Sequence, residues 1–105
     1  SIWVTNDTGD IVVVLDATAN GNGVVLTQST KGKRQVMLTS TVGGQGKVNT
    51  YHPNGKALVE LGASDNGGMI TVYNKTGDGI SQMYADEYGN GVVYAGNRKG
   101  DGCLG

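Results

Sequence analysis

The chain has 105 residues and a formal net charge of −1 at neutral pH, with 19 glycines, one cysteine and no phenylalanine. This length fits about one domain, and the near-zero charge gives no general attraction to nucleic acid or to anionic membranes. The single cysteine, Cys103, excludes an internal disulfide framework. No apolar run approaches the roughly 18 residues that a membrane-spanning helix needs.

Five turns with a central glycine divide the chain into a repeat. They read NDTGD, STKGK, HPNGK, NKTGD and NRKGD, and their glycines are spaced by 23, 23, 22 and 23 residues. The position three residues before each glycine holds Asn, Ser or His, mostly residues that favour the start of a type I turn. We call these five the tight turns, and they predict a single repeat domain, 1–105, with repeats at approximately 1–21, 22–44, 45–67, 68–89 and 90–105.

Apolar and polar residues alternate on both sides of each tight turn, which is the period of a half-buried strand. In the second repeat the apolar set includes Val25 before the turn and Val36 and Leu38 after it. A glycine-rich turn then leads into the next repeat, with the sequences NGNG, GGQG, NGG and GNG. The pattern predicts an antiparallel β-meander of about nine or ten strands, without helices.

The parity of the apolar positions constrains the tight turns. In a three-residue loop that ends at the glycine, the fifth residue before the glycine would pair with the third residue after it. The apolar residues of the two strands would then lie on opposite faces of the sheet. A two-residue type I′ turn would place Thr8 and Thr76 at positive φ, which β-branched residues resist. We therefore predict a four-residue loop built on a type I turn, with the glycine in the left-handed region at its end.

A meander has one apolar face, and no other element of this sequence is available to cover it. The even repeat disfavours a sandwich, and the inward residues are of middling size. We predict an all-β antiparallel meander of tandem hairpin repeats that packs with two identical chains as a homotrimeric β-prism. A closed monomeric β-barrel is the alternative. The predicted trimer core consists of Val36, Leu38, Val59, Leu61, Ile70 and Val93.

The segments GKALVELGASDNGGMITVYNKTGD and DEYGNGVVYAGNRKG resemble the glycine-rich tandem β-repeats of bacterial and viral fibre-like proteins. The resemblance covers nearly the whole chain. Some proteins of that type assemble as trimeric β-prisms or shafts. The resemblance therefore implies a structural, shaft-like module in an extracellular, cell-surface or virion setting, and it carries no catalytic residues over to this chain.

His52 is the only histidine and lies in the third tight turn. A zinc site needs three or four converging ligands, and a histidine general base needs an orienting partner. The equivalent position in the other repeats holds Asn or Ser, so we interpret His52 as a turn residue. Asp65, Asp86 and Glu87 lie at glycine-rich turns and are interpreted as turn-forming and solubilising acids. We predict no metal, no cofactor and no enzymatic activity.

Four aromatic residues fall by parity on the face opposite the apolar one. Rings with a polar tip suit contacts with sugars, although the same residues also stiffen a sheet as cross-strand pairs. A carbohydrate-binding module is therefore the alternative function, with a glycan as the partner and neither nucleic acid nor membrane expected. The candidate ligand contacts are Trp3, Tyr51, Tyr73 and Tyr94.

Charges are distributed unevenly between the two kinds of turn. The sequence predicts one mildly basic edge of the sheet at the tight turns and one mildly acidic edge at the glycine-rich turns. Such edges favour solubility and discourage strand pairing, or they provide a weak contact for an anion or a glycan. The basic residues at the tight turns are Lys31, Lys33, Arg34, Lys56, Lys75, Arg98 and Lys99, although Asp7, Asp10, Asp78 and Asp101 dilute this edge. The acidic residues at the glycine-rich turns are Asp65, Asp86 and Glu87, and Lys47 lies near that edge.

Overall fold

A computed structural model describes residues 1–99 and Gly102, and it contains one antiparallel sheet in which the strands follow one another in chain order. The predicted all-β meander is therefore confirmed. None of the described residues belongs to a helix long and apolar enough to cross a membrane. The strands are β1 (Ile2–Thr5), β2 (Ile11–Ala17), β3 (Gly23–Gln28), β4 (Arg34–Ser40), β5 (Gly46–Tyr51), β6 (Ala57–Ser64), β7 (Gly67–Tyr73), β8 (Gly79–Ala85) and β9 (Gly91–Ala95).

The sheet is open. A barrel requires its first and last strands to pair, but β1 and β9 lie at opposite ends of the strand order. The chain extends over 47 × 28 × 18 Å, the shape of a slab. The alternative of a closed monomeric barrel is thus wrong. The glycine of the fifth tight turn (Gly100), together with Cys103 and Leu104, lies outside the described residues.

Each described tight turn contains three residues between a hydrogen-bonded pair. In the first, the amide of Asn6 donates to the carbonyl of Asp10, and the amide of Gly9 donates to the carbonyl of Asn6, both at 3.0 Å. Gly9 has a φ of 86°, in the left-handed region that only glycine adopts at little cost. The predicted glycine conformation is confirmed, but the predicted loop of four residues is wrong.

A β-bulge after each of these loops explains the error. Thr5 pairs with Ile11, whereas Val4 pairs with Val13, so that Val12 is an extra residue on β2. The same register shift occurs in the next three hairpins. A three-residue loop followed by one extra residue gives the same cross-strand pairing as a four-residue loop. The apolar residues of the two strands therefore lie on the same face, as the sequence predicted.

The glycine-rich turns reverse the chain without a bulge. In the first of them, the amide of Thr18 donates to the carbonyl of Asn22 at 2.7 Å, again enclosing three residues. The third turn is shorter, because Ser64 pairs directly with Gly67 and leaves only two residues between them. This missing residue accounts for the single spacing of 22 in the repeat.

Cross-strand pairing aligns the inward residues into three rows, which together form the apolar face. The central row holds the largest side chains and crosses all nine strands as Ile2, Leu15, Val25, Leu38, Val48, Leu61, Ile70, Met83 and Val93. Toward the tight turns lies a row of medium-sized residues that includes Val36 and Val59. Toward the glycine-rich turns lies a row of small residues, such as the pair of Ala63 and Gly68.

The apolar face is not covered by its own chain. No hydrophobic residue is buried in the described part of the chain, and the central row is 42% exposed at Leu61 and 73% exposed at Val93. All six residues predicted for the trimer core lie on this face. Their assignment to an intermolecular core remains a prediction.

Candidate functional site

The opposite face, which we call the polar face, changes character along the sheet. Its central row runs Trp3, Val14, Leu26, Met37, Asn49, Glu60, Thr71, Gln82 and Tyr94. The half formed by β1 to β4 is apolar, and the half formed by β5 to β9 is polar. Within this central row, side chains with hydrogen-bonding capacity are therefore concentrated on the C-terminal half.

The four candidate aromatic residues share this face but do not converge. Trp3 and Tyr94 lie on the two edge strands, eight strand spacings apart, which corresponds to about 38 Å at ~4.8 Å per spacing. Tyr51 and Tyr73 lie on β5 and β7 with one strand between them, or about 10 Å apart on the same spacing. One short saccharide can therefore contact Tyr51 and Tyr73 together but not all four residues.

A polar cluster occupies the surface between and beside these two tyrosines. Lys47 Nζ lies 3.3 Å from Glu60 Oε2, and Asn49 Nδ2 donates to the Tyr51 hydroxyl at 3.1 Å. Asn49 is only 5% exposed, and its Oδ1 has no hydrogen-bond partner among the described residues. Buried polar atoms are usually paired, so this oxygen is an unmet acceptor within the cluster.

Tyr73 has a perturbed phenol beside this cluster. Partial burial raises its pKa above the ordinary value of 10.0, the carboxylate of Glu60 raises it further, and the ammonium of Lys47 acts in the opposite direction. A raised pKa favours the protonated hydroxyl. Tyr73 is therefore a neutral hydrogen-bond donor over the physiological pH range.

A groove of about 700 Å³ opens where the polar face meets the second and third tight turns. The guanidinium carbon of Arg34 lies 4.8 Å from the centre of the Tyr51 ring, a distance typical of cation–π contacts. Neither Arg34 nor the two lysines of the groove makes an ion pair with any described residue. The lining residues are Ser29, Thr30, Lys31, Lys33, Arg34, Gln35, Tyr51 and Pro53.

The β-bulge brings Arg34 to this position. In a regular strand, Arg34 would lie on the same face as Val36, two residues along. The register shifts between these two residues, because Thr27 pairs with Val36 but Gln28 pairs with Arg34. The extra residue, Gln35, rotates Arg34 onto the polar face and over Tyr51. Sequence parity alone therefore missed this contact.

His52 and Asp86 each accept hydrogen bonds within their own turns. His52 Nδ1 accepts a hydrogen bond from the amide of Asn54 at 3.0 Å. Asp86 Oδ1 accepts bonds from the amides of Tyr88 and Asn90, at 2.9 and 2.8 Å. Among the residues that the structure describes, no three His, Cys, Asp or Glu side chains lie close enough together to hold a metal ion.

No protein-family model matches the chain, and no curated protein matches its sequence. Two surfaces of the sheet bear on function. One is the uncovered apolar face. The other is the groove and polar cluster around Tyr51 on the polar face.

Proposed function

We propose that the chain is a non-catalytic structural module that assembles as a homotrimeric β-prism through its apolar face. The observation that carries this proposal is the unbroken apolar row from Ile2 to Val93, whose members are exposed or half-buried on a single chain. Burial of one such side chain contributes about 1.5–3 kcal/mol. A row of this length gives assembly a large favourable free energy.

The dimensions of the face support packing against copies of the same chain. A face of 47 × 28 Å exceeds the about 800 Å² that each partner buries in a standard interface. Three sheets around a common axis enclose a narrow core. The large central row would point at that axis, and the small row would let the neighbouring sheet approach closely near the corners.

Light scattering on the purified chain, with far-UV circular dichroism, tests the proposal. We expect a mass three times the 10.8 kDa of one chain, together with strand-rich dichroism. A folded protein with the mass of one chain would contradict the assembly. A folded dimer would show that the face is covered in a different arrangement, such as a two-sheet sandwich.

The groove supports a second candidate function, binding of an acidic saccharide on the polar face. Arg34 covers one side of the Tyr51 ring, so a sugar cannot stack there, but its guanidinium suits a carboxylate or sulfate group. Lys31 and Lys33 add positive charge along the same groove. Tyr51 and Tyr73 then supply hydroxyl and ring contacts to a ligand that extends across β6.

Calorimetry with a uronic-acid hexasaccharide, compared with a neutral hexasaccharide of the same length, tests this candidate. We expect binding of the acidic sugar alone, weakened by Arg34→Gln. The double change Tyr51→Ala with Tyr73→Ala should weaken it by about 1 kcal/mol or more. Trp3→Ala serves as the control, since Trp3 lies at the edge of the sheet on β1. Equal binding of both sugars, or unchanged binding in the variants, would contradict this site.

A further inference from the structure

We infer that, in the assembly, the tight-turn edge of each chain packs against the glycine-turn edge of the next, with the chains parallel and in register. This inference rests on the proposed homotrimer and specifies how its chains are paired. It is carried by the distribution of charged residues on the two edges of the sheet.

The two kinds of turn occupy opposite edges, because every strand runs from one edge to the other in a meander. Toward the C-terminal half, the tight-turn edge carries Lys56, Lys75, Arg98 and Lys99. The glycine-turn edge carries Asp65, Asp86 and Glu87. The tight-turn edge also carries Asp78 in this half, so it is basic on balance and not at every turn. In the C-terminal half, one edge is therefore complementary in net charge to the other.

Closed cyclic assemblies use heterologous contacts when they contain three chains. With the threefold axis parallel to the central apolar row, one edge of each sheet meets the opposite edge of its neighbour at every corner of the prism. This is the pairing that the charges favour. An antiparallel neighbour would instead place one tight-turn edge against another, and both of these edges are basic on balance.

The order of the turns along the sheet also sets the register. The turn of Asp65 joins β6 to β7, so it lies between the turns of Lys56 and Lys75 in the strand order. The turn of Glu87 joins β8 to β9, between the turns of Lys75 and Arg98. When two neighbouring chains lie at the same position along the threefold axis, Asp65 and Glu87 of one chain each lie between two basic turns of the other.

The side chains that this pairing needs are available. Asp65 and Glu87 are exposed, and neither is in an ion pair with a described residue. The third and fourth tight turns are linked to each other, because Asn54 Nδ2 donates to the carbonyl of Lys75 at 3.0 Å. By contrast, Asp86 caps its own turn and is less free to reach a neighbour.

The same register leaves the groove at Arg34 without a counter-charge. Along the threefold axis, the second tight turn, with Lys31 and Lys33, is followed by the glycine-rich turn of residues 41–45. This turn contains no acidic residue. The corner contacts would thus neutralise the basic residues of the third and later tight turns. They would leave those of the second turn free.

Charge reversal tests the pairing by analytical ultracentrifugation at low salt. The double variant Asp65→Lys with Glu87→Lys makes both edges basic, and we expect it to raise the concentration at which trimers dissociate by about tenfold or more. The double variant Lys56→Glu with Lys75→Glu should have a similar effect. The quadruple variant carrying all four changes restores opposite charges and should recover assembly. Asp7→Lys, in the first tight turn, is the control and should leave assembly unchanged.

Unchanged assembly of both double variants, or a folded quadruple variant that fails to recover, would overturn the edge pairing while leaving the trimer intact. Circular dichroism on each variant separates loss of fold from loss of assembly. A second measurement needs only the wild-type protein. Raising the salt from low to about 0.5 M should weaken its assembly if the edges pair by charge, and an unchanged or tighter trimer would contradict the pairing. A wild-type protein that remains monomeric would overturn the proposed trimer itself.

Discussion

His52 and Asn54 form the hydrogen bond that an asparagine forms in three other tight turns. His52 Nδ1 accepts from the amide of Asn54 at 3.0 Å, as Asn74 Oδ1 accepts from the amide of Thr76 at 3.1 Å. The ring nitrogen therefore replaces a side-chain carbonyl oxygen at the start of the turn. The equivalence agrees with the interpretation of His52 as a turn residue.

The first prediction is that His52→Asn preserves the free energy of unfolding, because asparagine supplies the same acceptor. His52→Ala removes the acceptor from the Asn54 amide and should lower the free energy of unfolding by about 0.5–1.5 kcal/mol. Urea denaturation followed by circular dichroism measures both. A loss of stability in the asparagine variant equal to that in the alanine variant would contradict the assigned role.

The second prediction concerns Gly55, whose φ is 91°. Gly55→Ala should destabilise the protein by about 1–2 kcal/mol, because a Cβ is unfavourable in the left-handed region. Gly62→Ala is the matched control, since Gly62 lies within β6 at an ordinary φ and a Cβ there meets open space. Thermal unfolding of the two variants should differ clearly, and equal melting temperatures would show that the turn does not require glycine.

The third prediction distinguishes the two faces by one charge on one strand. Leu61→Asp places a carboxylate in the proposed trimer core, at a cost of several kcal/mol, so we expect unfolded or aggregated chains. Gly62→Asp adds the same charge on the polar face, where the space is open, and should leave the assembly intact. Light scattering and circular dichroism report the outcome. A folded, assembled Leu61→Asp protein would show that this row is not an interface.

The fourth prediction concerns Asp78 at the fourth tight turn. Hydrogen bonds from the side chains of Thr76 and Asn74 hold its pKa below the ordinary 3.8. A lowered pKa stabilises the fold above the unfolded-state value, and that contribution is lost as the pH falls through the folded-state value. Thr76→Val should raise the pKa of Asp78, as measured by carboxyl-carbon NMR. Thr8→Val, the same change in the first tight turn, should leave it unaltered.

The sequence predicted the strands and their faces because both depend on local alternation. Val4 and Val13, for example, pair as their parity required. Parity could not distinguish a four-residue loop from a three-residue loop followed by a bulge, since the two give the same offset. The position of Arg34 over Tyr51 depends on that difference, and so the groove could not be predicted.

Burial on the polar face was also beyond sequence reasoning. Asn49 and Thr71 are 5% and 3% exposed, although both lie on the face that the pattern assigned to solvent. Glu60 is the cross-strand neighbour of both residues, and Gln82 Nε2 donates to the Thr71 hydroxyl at 3.4 Å. Such burial depends on the side-chain rotamers of residues on several strands at once, and no single position in the sequence predicts it.

The nearest-neighbour order of the strands has a consequence for the evolution of the chain. Extensive contacts link only strands that are adjacent in sequence, so a hairpin repeat could be duplicated or lost without rearranging any other. Each repeat gained would lengthen the sheet by two strand spacings, or about 10 Å, at constant width. Natural variants of different length would then share one cross-section. Genetic duplication would change the length of the sheet in steps of one repeat, while the contacts between neighbouring repeats stayed the same.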